Sequence, residues 1–199
     1  MLRDYFPLAL SFIWRPDNDG QPFHDTPHDP GGATNWGVTY STWTGWQQLH
    51  KLPVSMDAFK ALGKDDFQPL YRAQFWNSIR CSSLGAIGIM MFDCAVNCGP
   101  GHAAGFLQTV LGVPVDKQIG PITIVAYANF DPAALARALC VQREDYYAHC
   151  PNAEYFCKGW DRRAEMCRDC VLSLLPRPVP PVGASQKPTS YRSGPQYIE

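Results

Sequence analysis

Arg15-Pro16-Asp17-Asn18-Asp19-Gly20-Gln21-Pro22-Phe23-His24-Asp25-Thr26-Pro27-His28-Asp29-Pro30-Gly31-Gly32-Ala33-Thr34-Asn35-Trp36-Gly37-Val38-Thr39 sets how the rest of the chain is read. It follows an apolar segment, residues 3–15, that reads as a short helix. Four Asp, two His and three Thr then stand among prolines and glycines, and Trp36-Gly37-Val38-Thr39 reads as the end of a small hairpin. Long irregular stretches inside compact chains often carry function. Cleaving a glycosidic bond needs a proton donor at the leaving oxygen. It also needs a second polar group that positions water or stabilises developing positive charge. An acid at the end of a helix, followed by an Asp and a Thr on a hairpin, supplies both.

Outward from this stretch the chain reads as helical. Ser41 or Thr39 is a cap for a helix through Leu49, and Ser55 for one from Met56 to Leu62. Asp65 to Arg80 carries Phe67, Leu70, Tyr71, Phe75 and Ile79 at helical spacing. Leu84 to Asn97 is apolar enough for a buried central helix, and Gly99-Pro100-Gly101 breaks it. Asp93 inside that helix needs a partner if buried. Helices follow over His102–Leu111, from Pro121 to about Asn129, from Asp131-Pro132 onward, and over Glu154–Leu174. Residues 176–199 contain six Pro and read as a disordered tail.

Composition sets bounds. A chain of 199 residues with 46% hydrophobic content builds one good-sized core or two small lobes sharing a cleft. A net charge of −1 offers no basic stripe for nucleic acid. Six Trp and nine Tyr serve sugar clefts and ordinary cores alike. The apolar run from Phe6 to Trp14 contains Pro7 and has no small-residue cleavage site after it, so it does not read as a secretory signal. It is also shorter than the ~20 residues that span a bilayer. Eight cysteines are many, and reduced buried thiols are the expectation for them. Cys167 and Cys170 have CxxC spacing, with Cys150 and Cys157 upstream, but no second CxxC completes a zinc site.

Asp29-Pro-Gly-Gly-Ala-Thr-Asn-Trp-Gly-Val-Thr39 resembles the signature of glycoside hydrolase family 108, the N-acetylmuramidases of phage endolysins and secretion-associated muramidases. The resemblance continues through Phe92-Asp-Cys-Ala-Val-Asn97-Cys-Gly-Pro-Gly101, Leu107-Gln108, Ile119-Gly-Pro121 and Gly159-Trp160-Asp-Arg-Arg163, which are similar to the peptidoglycan-binding-like helical region accompanying that family. It spans about residues 3–173. The resemblance implies a predominantly helical, lysozyme-like α+β fold of two lobes, with a catalytic lobe over 1–93 and a helical lobe over 94–174. It implies hydrolysis of the β-1,4 bond between N-acetylmuramic acid and N-acetylglucosamine, with no cofactor and no metal. The implied setting is phage lysis, where a monomeric chain made in the host cytoplasm reaches the wall by a holin-like route, with a bacterial secretion accessory as the other setting.

The chain departs from the family pattern at one point. The family's catalytic Glu ends the first helix, whereas the first Glu here is Glu144. Alignment from the helix puts Asp17 in the Glu position; Asp19 is the other candidate, and counting back from Asp29 without a gap reaches Gly20. Asp is one methylene shorter and slightly more acidic than Glu. Asp29 is then the base or cation stabiliser, and Thr34 helps hold water. Similarity to lysozyme-type sites implies an inverting route, with carboxylates ~6.5–9.5 Å apart. Trp36, Asn97 and Gln108 are candidates for substrate binding.

Other readings stand beside this one. Asp29-Pro-Gly-Gly is also a good turn. Trp36 either stacks on a sugar or packs under the hairpin. Asn97 and Gln108 suit structural amides. A protein that binds peptidoglycan without cutting it, through Asp in place of Glu, is the alternative function. His24, His28, Asp25 and Asp29 leave a metal-dependent amidase or peptidase as a third reading, which a chelator would distinguish.

Overall fold

The computed structural model describes residues 3–15, 21–25, 31–151 and 153–176. Helix α1, Phe6–Ile13, keeps Pro7 in its first turn, where the missing N–H costs nothing. Asp4 Oδ1 accepts from the Phe6 N–H at 3.0 Å and caps the start. Strands β1, Thr34–Asn35, and β2, Val38–Thr39, form an antiparallel hairpin with Thr34 opposite Thr39 and Asn35 opposite Val38. Trp36 (φ +50°) and Gly37 (φ +81°) make the two-residue turn, in the left-handed backbone that a tight hairpin requires.

Helix α2, Tyr40–Leu49, is capped by Thr39, one of the two expected caps, and not by Ser41: Thr39 Oγ1 accepts from the Thr42 N–H at 3.2 Å. The last residue of β2 is therefore also the first cap of the helix, which leaves no linker between them. Helix α3, Met56–Ala61, is capped by Ser55 as expected.

The region expected to be one helix from Asp65 to Arg80 is three unlike pieces. A 3-10 turn over Lys64–Phe67 leads into a helical turn, α4, Gln68–Leu70, and then a π-helix over Tyr71–Asn77. The aromatic pattern explains the wide turn. Tyr71 and Trp76 are five residues apart, about 140° round an α-helix, yet both are fully buried. A π turn brings them to one face. There both rings meet Phe92 edge-on, at 5.9 and 5.7 Å.

Helix α5, Ile87–Cys98, is the buried centre of the fold. A 3-10 turn, Cys81–Leu84, precedes it, so the helix starts three residues later than the apolar run suggests. Gly88 lies against the Cys81 carbonyl so closely that no Cβ would fit. Helices α6, Pro100–Leu111, α7, Pro121–Ala128, α8, Pro132–Ala148, and α9, Ala153–Leu174, complete the chain. Asp131 caps α8, accepting from Ala134 N–H at 2.6 Å. Helix α5 packs against α1 on one side and α6, α8 and α9 on the other. The expected division between residues 93 and 94 therefore falls inside a helix that both halves share. The Pro-rich tail lies outside the described residues beyond 176.

Asp93 finds two partners. It is fully buried, with Arg143 Nη2 2.8 Å from its Oδ2 and Arg163 Nε donating to its Oδ1 at 2.8 Å. This ties α5 to α8 and α9 through charge. Burial opposes the Arg143 charge, but the Asp93 carboxylate outweighs it and holds the guanidinium firmly protonated.

Candidate active site

The hairpin is the anchor of the irregular stretch. Its turn is held by Tyr71, whose hydroxyl donates to the Trp36 carbonyl at 2.9 Å. A third short segment joins β1: His24 and Thr34 exchange both backbone hydrogen bonds at 2.9 Å, and the Trp36 N–H donates to the Gln21 carbonyl at 2.9 Å. Residues 21 and 24 are thus clamped along the same strand as residues 34 and 36. Phe23 packs edge-on to Phe59, 6.3 Å between centroids, and carries the Lys60 ammonium over its face at 4.8 Å.

Asp17, Asp19 and Asp29 lie outside the described residues, as does His28. Their flanks are described. Trp14 and Arg15 end the helical segment before residue 16, and Trp14 stacks edge-on to Tyr71 at 6.2 Å. Gln21 through Asp25 and Gly31 through Thr34 border the two remaining segments, and both borders are bonded to β1 or lead into it.

Thr34 is nearly buried and its hydroxyl donates to the Gly32 carbonyl at 2.9 Å. With its hydrogen so directed, the oxygen is left as an acceptor, able to hold a water that donates to it. Trp36 is half-buried, packed against the core, with its backbone bonded at both ends. His24 Nδ1 lies 3.1 Å from the Pro22 carbonyl. Among the described residues no group of three or more His, Cys, Asp or Glu is placed to hold a metal. All eight cysteines are free thiols.

The two amides differ. Gln108 is 1% exposed. Its Nε2 donates to Asp116 Oδ1 (2.6 Å), the Gln118 carbonyl (2.9 Å) and Thr123 Oγ1 (3.3 Å), and its Oε1 accepts from Lys117 N–H at 2.9 Å. Both ends of the amide fasten the loop between α6 and α7, so Gln108 has nothing left for a substrate. Asn97 sits at the end of α5 and is half-buried beside a cavity.

Asn35 is the residue that sequence reasoning passed over. Its Nδ2 donates to the Phe59 carbonyl at 2.7 Å and the Leu62 carbonyl at 3.2 Å, binding the hairpin to the end of α3. The only signal for it is an amide beside Thr34 in a strand too short to be recognised.

The family model described as Glycosyl hydrolase 108 matches residues 17–99, and that described as Predicted Peptidoglycan domain matches residues 102–165. The solved structure of Brucella abortus SagA is 30% identical with a TM-score of 0.74, covering 85% of this chain and 92% of that one. The chain belongs to the glycosyl hydrolase 108 family. A search of curated proteins finds no match. The family gives the chain its class, a lysozyme-like, predominantly helical protein directed at peptidoglycan. The family match begins at residue 17, four residues past the end of α1, and ends at residue 99, directly after α5. Among the described residues no helix is long and apolar enough to cross a membrane.

Proposed function

We propose that this family 108 chain is a muramidase that hydrolyses the β-1,4 bond between N-acetylmuramic acid and N-acetylglucosamine. Asp17 is the proton donor to the leaving oxygen. Asp29 acts across the cleft on the attacking water or the developing cation. Thr34 accepts a hydrogen from that water, the role its hydroxyl geometry leaves it. Trp36 offers its exposed part to a sugar ring. The setting this implies is phage lysis, with delivery across the inner membrane by a holin-like route.

The observation that carries the reading is the clamp at β1. Residues 21, 24, 34 and 36 are bonded into one small unit, so both Asp-bearing segments start or finish on the same rigid strand. A catalytic pair needs this kind of support, because a displacement of about 1 Å costs ~100-fold. The family match over residues 17–99 supplies the reaction class.

The test is release of reducing ends from purified Gram-negative peptidoglycan. Wild type is expected to release them, and Asp17→Asn and Asp29→Asn to lower the rate by roughly 10²–10⁴, the range of general acid–base assistance. A chelator is expected to change nothing. The Asp at position 17 favours one second reading, a binder that does not cut. Silence in wild type with release restored in Asp17→Glu would establish that reading and overturn the first.

A further inference from the structure

A cavity of about 270 Å³ is lined by Asn97, Cys98, Tyr146, Tyr147, Cys150, Pro151 and Trp160. It lies where the ends of α5 and α8 meet the first turns of α9. Its size is below the roughly 300–1,000 Å³ of sites for drug-sized ligands, which suits a single ring.

Its wall is built. Arg143, paired with Asp93, donates through Nη2 to the Tyr147 hydroxyl at 2.7 Å. The Tyr147 hydroxyl in turn donates to Asn97 Oδ1 at 2.6 Å. The buried charge thus fixes which way the Asn97 amide faces. Oδ1 is the occupied end, and Nδ2, with two N–H donors, is the end left for a ligand. Trp160 is held by Phe156 (5.7 Å, stacked) and Tyr147 (5.4 Å). Among the described residues no charged side chain lines the cavity.

We infer that this cavity binds the N-acetylhexosamine residue of a glycan strand, with the acetamido carbonyl on Asn97 Nδ2 and the methyl and ring C–H faces against Trp160 and Tyr146. An ionised stem-peptide carboxylate would find no cation there. An uncharged sugar lacking the acetamido group would leave the Asn97 donors unmatched, and an unmatched polar group is what a site rejects most strongly. None of the lining residues is one proposed for cleavage, and the inference rests on the reading of the chain as acting on peptidoglycan glycan.

The indole N–H resonance of Trp160, identified as the peak lost in Trp160→Phe, reads the cavity directly. In the full chain, chitotriose is expected to shift that peak. Maltotriose, which lacks acetamido groups, and the dipeptide D-alanyl-D-alanine are expected to leave it in place. Asn97→Asp keeps an acceptor for Tyr147 and removes the donors, and is expected to raise the half-saturating chitotriose concentration about tenfold or more. An unmoved peak in wild type, an equal shift with maltotriose, a shift with the dipeptide alone, or unchanged binding in Asn97→Asp would each overturn the inference. Cleavage is scored separately. A shift in a chain that cuts nothing would keep the cavity and remove the muramidase reading. Cutting without a shift would do the reverse.

Discussion

The two halves of the molecule are held together by opposite means. Around the hairpin, a few polar side chains reach distant backbone: Asn35 to Phe59 and Leu62, and Tyr71 to Trp36. Each such bond crosses more than twenty residues of sequence and joins pieces too short to be stable elements alone. In the helical half, long helices bury apolar faces and one ion cluster, Asp93 with Arg143 and Arg163, ties three of them. A region pinned at isolated points can change its loops while its anchors stay. A region fixed by a shared buried charge cannot lose one member alone. The proposed cutting residues fall in the first kind, and the proposed sugar cavity borrows its geometry from the second.

The sharpest way to break this comparison is Asp93→Ala. It removes the fully buried carboxylate that both guanidinium groups share and leaves their two charges side by side without it. Removing one member of a buried ion cluster costs about 3–5 kcal/mol. Urea unfolding of the variant is expected to show a loss in that range. A loss under about 1 kcal/mol would mean that helix packing alone holds the second half. Replacing all three residues with apolar ones of similar volume is expected to recover most of it, since desolvation offsets much of the pairing.

Asn35→Ala probes the other half in the same units. It removes the amide donor that the Phe59 and Leu62 carbonyls share, leaving Phe59 only the long 3.4 Å bond from the Leu62 N–H, and a buried group that loses its partner costs about 1–3 kcal/mol. Loss of stability is expected together with faster proteolysis between residues 50 and 62. Stability equal to wild type would show that the hairpin does not depend on α3.

Much of the helical half was legible because its signals are local. Asp131 before Pro132, Pro121 at a helix start and the apolar run into Asn97 each announce an element from neighbouring residues. The Arg partners of Asp93 are 50 and 70 residues away, and no periodicity links them. Around the hairpin the family motif pointed to the region, but its mechanics were hidden. Of the two caps open to α2, Thr39 prevails over Ser41 because strand and helix share that residue. The run from 65 to 80 looked helical because π and α turns differ only in which side chains share a face. Gln108 matched the motif, and its amide is taken up by the loop between α6 and α7, since an ordered motif records the packing of a fold as well as its chemistry.

A smaller effect compares like with like across the halves. Thr39 caps α2 and Asp131 caps α8 through the same contact, three residues on. Alanine at a cap costs about 1 kcal/mol. Asp131→Ala is expected to show that and nothing else. Thr39→Ala is expected to cost a similar amount and also to lower any peptidoglycan cleavage, because Thr39 pairs with Thr34 across the hairpin. Equal cleavage in the two variants would separate the hairpin from the reaction.

The smallest expected effect is electrostatic. Asp116 is held below its usual pKa, first by the Gln108 amide and then by the Gln118 N–H. Asp4 is held below its own by the Phe6 N–H, with Arg72 adding a smaller share. A carboxylate depressed in the folded chain adds stability at pH values above its unfolded pKa of about 3.9. That contribution fades as pH falls through the lower folded value. Asp116→Asn and Asp4→Asn are therefore expected to be slightly less stable than wild type at pH 7 and to converge on it in acid. Both groups are exposed, so each difference is expected to shrink in high salt as well. Urea titrations at pH 7 and pH 3 compare them. If only Asp116→Asn converges, charge-assisted capping matters in the helical half alone. The start of α1 would then be held by its apolar face, and the pinned half would begin after residue 15 rather than before it.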